Sequence, residues 1–359
     1  MTQSANLFDQ NWDAIAHYLE TQGHSLDRDF EIRQLSGGVA NYNFLISMDG
    51  KMAVLRRPPD GPLPPGSNDV AREYKVLSHL NAAFPPAPKG LLFCDDETVI
   101  GVPFCISEFR DGVCISRELP ESLIDREDVG NALSELLVDT LTRLHLVDVD
   151  AVGLSGLGKY DGFLERQISG WFRRGERVLN EVQMQKLVSV RDWLSANLPE
   201  QAASGTLVHN DFKLDNMLVD PQSLEISGLV DWDICTFGDP IYELMILLAY
   251  WGGHDDPFVY AFQCRMPCYA KGWWPRDQVI DCYLEIMNRK ICERDLCFYW
   301  WLSQYRTVIV YAQLDKLFKR QGNSAYFSKE EAARIAPFYD ELLSFIDDNK
   351  DNIPEFLRR

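Results

Sequence analysis

Two stretches of the chain carry residue types and spacings that can do chemistry. The first is His209-Asn210-Asp211-Phe212-Lys213-Leu214-Asp215-Asn216; the second, further on, is Val230-Asp231-Trp232-Asp233. Each lies where a short β-like run meets a loop, so its side chains emerge at an edge that a ligand can approach. Moving a phosphoryl group has two needs. One carboxylate must orient the attacking hydroxyl and accept its proton, and oxygen ligands must hold Mg²⁺ against the phosphates. Asp211 with Asn216 and Asp231 supplies such a set. The spacing His-x-Asp-x-x-x-x-Asn arises by chance in roughly one chain in a hundred of this length, and a following β-like run that ends in Asp narrows the odds further.

The elements that must position these residues read as two parts. Residues 30–35 and 42–48 form strands around the turn Ser36-Gly37-Gly38, and Asp49-Gly50 signals a type I′ hairpin into a third strand at 52–56. The proline-rich stretch 58–65 is loop. Residues 69–80 read as a helix with Val70, Tyr74, Leu77 and Leu80 on one face and Ser67 or Asn68 as cap, and strands follow at 90–94 and 104–109. Beyond a hinge near 108–112 the pattern becomes helical: 127–146, with Leu133, Leu137, Leu141 and Leu144 at helical spacing, then 162–179 and 183–198. Short β-like pieces at 206–208, 217–219 and 226–230 carry the reactive loops. Helices then run to the end, interrupted by Pro267, Pro275 and Pro337. Asp239 before Pro240 reads as a helix cap without chemistry.

Composition excludes other classes. With 54 acidic and 35 basic residues among 359, the net charge is −19, which argues against a nucleic-acid partner. The apolar run 244–251 falls far short of the ~20 residues of a membrane span and reads as a buried helix. No basic-then-apolar leader opens the chain. The nine cysteines are scattered without a zinc-like spacing and read as buried free thiols of a cytoplasmic protein.

On these residues the chain resembles the aminoglycoside phosphotransferase and choline kinase branch of the protein-kinase-like fold. His209-Asn210-Asp211 through Asn216 matches the catalytic loop, and Leu229-Val230-Asp231-Trp232-Asp233 the metal-binding segment. The wording is closest to kinase-like domains fused ahead of acyl-CoA dehydrogenases and to their free-standing bacterial relatives. Leu55-Arg56-Arg57-Pro58-Pro59, residues 69–74, Gly101-Val102-Pro103-Phe104 and Phe237-Gly238-Asp239-Pro240 carry that likeness. Nothing in these residues resembles the flavin domain.

The resemblance implies an α+β, two-lobed fold, with an antiparallel-sheet nucleotide-binding lobe over 1–111 and a mainly helical lobe over 112–359 that carries both reactive loops. It also implies ATP, with GTP admitted, and Mg²⁺ as cofactors. By the same resemblance Asp211 is the catalytic base, Asn216 and Asp231 hold the metal, and His209 braces the loop. Asp215 and Asp233 read as solvated residues, with a second metal as the other reading. Backbone amides of the turn at Gly37 and Gly38 cradle phosphate, Arg56 reaches the phosphates beside Glu73, and Glu108 and Phe109 offer backbone groups to the adenine. Two positions depart from the family: Arg56 stands where a lysine is usual, and Ala40 where relatives often carry a serine.

The acceptor is a small molecule with a hydroxyl. The aromatics Trp251, Trp273, Trp274, Tyr299, Trp300, Trp301 and Tyr305 read first as core and second as an acceptor wall. Asp255, Asp256 and Glu243 suit an amine-bearing alcohol of the aminoglycoside or choline kind; the dehydrogenase-fused likeness points to a hydroxyacyl compound or its CoA thioester. Two other functions compete with the kinase: a nucleotide-binding pseudokinase serving as a regulatory or interaction module, and a hydrolase with His209, Asp211 and Asp231 as metal ligands.

Overall fold

The computed structural model describes residues 10–35, 41–59, 68–200, 204–253, 256–321 and 328–357. The glycine turn at 37–38 and most of the proline-rich stretch lie outside them. The chain divides into two compact units, Met1–Asp111 with Gly228–Cys235, and Gly112–Ser227 with Thr236–Arg359. The segment 228–235, which the sequence reading placed with the helical part, therefore belongs to the first unit. Trp232 is fully buried there, edge-on to Phe84 at 6.2 Å, and the Leu229 N–H donates to the Pro86 carbonyl at 2.8 Å.

In the first unit, helix α1 (Trp12–Thr21) precedes strands β1 (Arg33–Leu35), β2 (Tyr42–Met48) and β3 (Lys51–Arg57), helix α2 (Val70–Leu80), then β4 (Gly90–Cys94) and β5 (Phe104–Glu108). The sheet is antiparallel in the order β1-β2-β3-β5-β4. Asp49 and Gly50 both take positive φ (53° and 73°), as a type I′ turn requires, and they set Tyr42 opposite Arg57. Every second residue of the strands faces α1. Ile15 and Leu19 pack with Phe44, Ile46, Leu55, Phe104 and Ile106 in one apolar cluster, each buried aliphatic side chain contributing about 1.5–3 kcal/mol. The alternate positions face α2, where Tyr74 stacks on Phe93 at 5.7 Å. The sequence reading has no counterpart of α1, and the cap of α2 is Asp69, which accepts from the Arg72 N–H at 2.9 Å, rather than Ser67 or Asn68. On α2 the buried face includes Glu73.

The second unit opens with β6 (Val113–Cys114), α3 (Glu121–Ile124), α4 (Val129–His145), α5 (Phe163–Gly175) and α6 (Glu181–Ala196). Leu133, Leu137, Leu141 and Leu144 of α4 are all fully buried. Strands β7 (Thr206–Val208) and β8 (Met217–Val219) follow; β9 (Ile226–Leu229) leads out, and β10 (Thr236–Gly238) leads back in. β10 pairs antiparallel with β7, and β6 with β8. Helices α7 (Pro240–Ala249), α8 (Phe258–Ala261), α9 (Arg276–Ile286), α10 (Glu293–Gln321) and α11 (Lys329–Asn349) complete it. Pro337 sits inside α11 rather than ending it, and Phe338, Leu342 and Ile346 continue the buried stripe past it. All ten residues of α7 are buried, so this apolar run is core. Asp239 caps it, accepting from the Ile241 and Tyr242 N–H groups at 2.9 and 3.2 Å. Among the described residues no helix is long and apolar enough to cross a membrane. Trp251, Trp300, Trp301, Tyr299 and Tyr305 are buried, which makes them core rather than an acceptor wall.

Candidate active site

The sequence-derived site residues fall into two groups, one in each unit. In the first unit, Arg56 at the end of β3 is buried among carboxylates. Its Nε lies 2.7 Å from Glu73 Oε2 and its Nη2 contacts Asp231 Oδ1, with Asp233 Oδ2 at 3.7 Å. Asp233 is buried, accepts from the Asn68 N–H at 3.2 Å, and so is not the solvated residue expected of it. Asp231 takes φ +74°, a left-handed conformation uncommon outside glycine and recurrent at functional sites. One guanidinium against three carboxylates leaves an excess of negative charge. That excess and the oxygen donors suit a hard divalent cation, so Asp231 fits the metal role.

Burial pushes the Glu73 carboxyl up to about 7; Arg56 opposes the rise and Asp231 adds to it. The folded-state value lies above the ordinary 4.5, so the folded chain holds this proton longer than the unfolded chain. The stability it contributes is complete below pH ~4.5 and is lost as pH rises through about 7. Glu73→Gln removes that slope. Between pH 5 and 8 the wild type is expected to lose stability relative to the variant, by an amount on the order of 3 kcal/mol; parallel pH profiles of the unfolding midpoint would show that Glu73 does not titrate in this range.

The nucleotide-edge residues are placed as follows. Glu108 ends β5 with its N–H donated to the Lys89 carbonyl at 2.8 Å and its carboxylate 3.0 Å from Arg110 Nη2; Phe109 follows, half-buried. The Glu108 N–H is thus already engaged within the first unit. Gly37 and Gly38 lie outside the described residues.

In the second unit β7 delivers His209, fully buried, and the loop then turns at Asn210, which takes φ +66°. Asn216 Nδ2 donates to the Asp211 carbonyl at 2.8 Å and to its Oδ2 at 3.1 Å. That bond turns the amide nitrogen inward and leaves Oδ1 as the atom a metal would take. Lys213 Nζ lies 3.1 Å from Asp211 Oδ2, and Arg306 Nη2 lies 3.7 Å from Oδ1. Burial alone would raise the Asp211 carboxyl, but Lys213 and Arg306 outweigh it and hold the group below the ordinary carboxylate range. Asp211 is therefore ionised at neutral pH. His209 braces the loop, its Nδ1 accepting from the Asp211 N–H at 3.3 Å. Asp215 sits 3.6 Å from Lys213 and is likewise not solvated, its side chain 12% exposed.

Sequence reasoning missed what holds this loop. Glu243 of α7, with no exposure, accepts from the His209 N–H at 3.0 Å and from the Asn210 N–H. His145 Nε2 lies 2.8 Å from the same carboxylate, and His145 Nδ1 lies 2.6 Å from the Tyr283 hydroxyl. Glu243 is committed to the backbone and cannot receive an amine. Asp256, the other acid proposed for that task, is paired with the buried Arg276, and Asp255 lies outside the described residues. Lys213 was legible within the loop motif; Arg306 and Glu243 were not, because only the packing of α7 and α10 brings them to it.

Comparison with known proteins follows this geometry. The profile of the phosphotransferase enzyme family (APH) matches residues 31–277. Acyl-CoA dehydrogenase family member 11 of Gallus gallus is 34% identical over 217 residues, a match covering 59% of this chain and 27% of that protein, so the chain spans under a third of that relative's length. A candidate aminoglycoside phosphotransferase of Ralstonia eutropha superposes with a TM-score of 0.72 at 24% identity, over 94% of this chain and 99% of that one. A mutant of aminoglycoside phosphotransferase APH(4)-Ia, in ternary complex with ADP and hygromycin B, gives 0.59 at 17%, over 92% and 98%. At these identities the two structures share the fold, a protein-kinase-like α+β architecture. The profile match is broader in meaning: it takes in Arg56, Glu73, both reactive loops and Glu243, and on it the chain belongs to the phosphotransferase enzyme family.

Proposed function

We propose that the chain is an ATP- and Mg²⁺-dependent kinase that phosphorylates a hydroxyl of a small molecule. The observation that carries this reading is the state of Asp211: ionised, clamped by Asn216 and set on a loop locked from behind by Glu243. A carboxylate so held can accept a hydrogen bond from the acceptor hydroxyl and aim its oxygen at phosphorus. Its proton moves late, when the hydroxyl has become more acidic, so a weak base suffices. Asn216 and Asp231 would hold Mg²⁺, which supplies charge neutralisation at the transferring phosphates. Arg56, braced by Glu73, would meet phosphate oxygens with its planar fork, and Glu108 and Phe109 would border the adenine. The ADP and hygromycin B complex of APH(4)-Ia supports a nucleotide and a second small molecule as the two ligands. All nine cysteines are unpaired, the state that a reducing cytoplasm maintains.

A second reading, a nucleotide-binding pseudokinase, draws on the Arg56 contact with Asp231, which occupies the residue that the metal needs. Thermal unfolding with ATP, with and without Mg²⁺, separates the two. A ligand at a hundred times its Kd stabilises by about 2.7 kcal/mol, a midpoint shift of a few degrees. The kinase requires both components for the shift and loses the Mg²⁺ dependence in Asp231→Ala. A shift with ATP alone, unchanged by Asp231→Ala, favours the pseudokinase.

A further inference from the structure

Two arginines of the second unit share one indole beside the catalytic loop. Arg306, from α10, has its guanidinium carbon 5.5 Å from the Trp171 ring centroid, and Arg174, in the last turn of α5, has its own at 4.5 Å. The platform is fixed: Trp171 Nε1 lies 3.2 Å from Gln167 Oε1 and 3.2 Å from the hydroxyl of the buried Tyr242. Arg306 is anchored as well, its Nη2 donating to the Asn210 carbonyl at 3.0 Å and lying 3.7 Å from Asp211 Oδ1. Both guanidinium groups thus lie within cation–π distance of one indole, and that of Arg306 also reaches the Asp211 carboxylate.

The two arginines differ in how they are matched. Arg306 has Asp211; Arg174 forms no ion pair with a carboxylate among the described residues. Burial and the like charge of Arg306 pull the Arg174 guanidinium below the ordinary arginine value. A basic residue in the last turn of a helix is expected from the helix dipole, but the exposed Arg173 already serves that end. Arg174 instead folds onto Trp171 next to a second cation. In a chain with 54 acidic and 35 basic residues, an unmatched arginine sharing an indole with a second one asks for an anion.

We infer that Trp171, Arg174 and Arg306 form an anion subsite for the phosphate acceptor, so that the acceptor is a hydroxyl compound carrying a carboxylate or a phosphate ester near its reacting hydroxyl. This rests on the kinase reading and deepens it. Cationic amino alcohols are repelled, and a neutral alcohol gains nothing from the pair. The planar forks bind the anion's oxygens in pairs, and the indole holds both guanidinium groups by cation–π attraction.

The test uses matched acceptors: short hydroxy acids beside their methyl esters and the corresponding amino alcohols, and glycerol phosphate beside glycerol. ADP release with Mg²⁺-ATP and calorimetric titration without nucleotide are both measured. The anion of each pair is expected to bind about tenfold more tightly than its neutral partner or better, and the two arms tell carboxylate from phosphate ester. In Arg174→Gln the KM for the anion rises by about tenfold with kcat and nucleotide affinity nearly unchanged, and Arg174→Lys recovers part of the loss. If anions bind the wild type but not Arg174→Gln, and no acceptor releases ADP, the subsite stands and the kinase reading falls. If ADP forms as well with neutral or cationic acceptors, the kinase reading stands and the subsite is overturned. The subsite also falls if no anion binds, or if Arg174→Gln weakens neutral and anionic acceptors alike.

Discussion

Asp211→Asn is expected to lower kcat by roughly 10³-fold, the scale on which a positioned general base contributes, while nucleotide affinity stays within about threefold. The reason lies in the pairing. In the wild type Oδ2 faces Lys213 and the Asn216 amide, and Oδ1 faces Arg306, so both oxygens are ringed by donors and the charge is stable. An amide at this position must turn its NH₂ toward one of those donors and offers no charge to the acceptor hydroxyl. Arg56, proposed to meet the nucleotide's phosphates, is held by Glu73 and Asp231 of its own unit rather than by this side chain. Single-turnover measurement of phosphoryl transfer, beside a fluorescent-nucleotide titration, checks both halves. Residual turnover above a tenth of wild type would remove Asp211 from the chemistry, and lost nucleotide binding would give it a different role.

The second large effect is on stability. Glu243→Ala removes the carboxylate that accepts from the His209 and Asn210 N–H groups and pairs with His145 Nε2, a carboxylate with no exposure to water. Each orphaned buried donor costs about 1–3 kcal/mol, so the variant is expected to be destabilised by about 4 kcal/mol or more. For a unit of this size that is a fall in Tm of roughly 10 °C. The loop itself should then relax, because Asn210 holds φ +66° only while its N–H is tied down. Turnover is expected to drop even at temperatures where the variant remains folded. Glu243→Gln, which keeps one acceptor oxygen, should fall between the two. A Tm within about 2 °C of wild type for Glu243→Ala would mean that less than about 1 kcal/mol rests on these bonds.

Local chemistry was readable in the residues and long-range placement was not. Asp49-Gly50 specified its hairpin, because few residues take two successive positive φ angles. Asp239-Pro240 specified a helix start, and the strand-loop positions of His209 and Asp231 followed from short apolar runs that end in polar residues. The departures share one cause. Helix α1 was missed because its buried residues, Ile15, Ala16 and Leu19, acquire meaning only against the sheet they cover. Asp69, rather than Asn68, caps α2 because its side chain accepts from the Arg72 N–H, and Ser67 lies outside the described residues. Glu243 read as an acid for an amine until the packing of α7 showed both its oxygens turned to the backbone. Asp233 read as solvated, although a guanidinium from a strand far away in sequence closes over it. Apart from the Asp69 cap, which is settled three residues away, the deciding partner lies tens of residues off or on the next element, where spacing carries no information.

The return of Gly228–Cys235 to the first unit has a bearing on how the chain is made. Residues up to 111 leave the ribosome as a sheet that lacks one wall: Phe84 has no Trp232 against it, and Arg56 has only Glu73. At 5–20 residues per second, translation takes roughly ten seconds to supply the missing segment, during which an apolar surface and a buried-site arginine stay uncovered. Nascent chains arrested shortly after residue 111 should therefore engage chaperones and yield to protease at Arg56 and Arg57, and those arrested well past residue 235 should not. Ordering of the first unit becomes a late event in synthesis, coupled to emergence of the segment that bears Asp231.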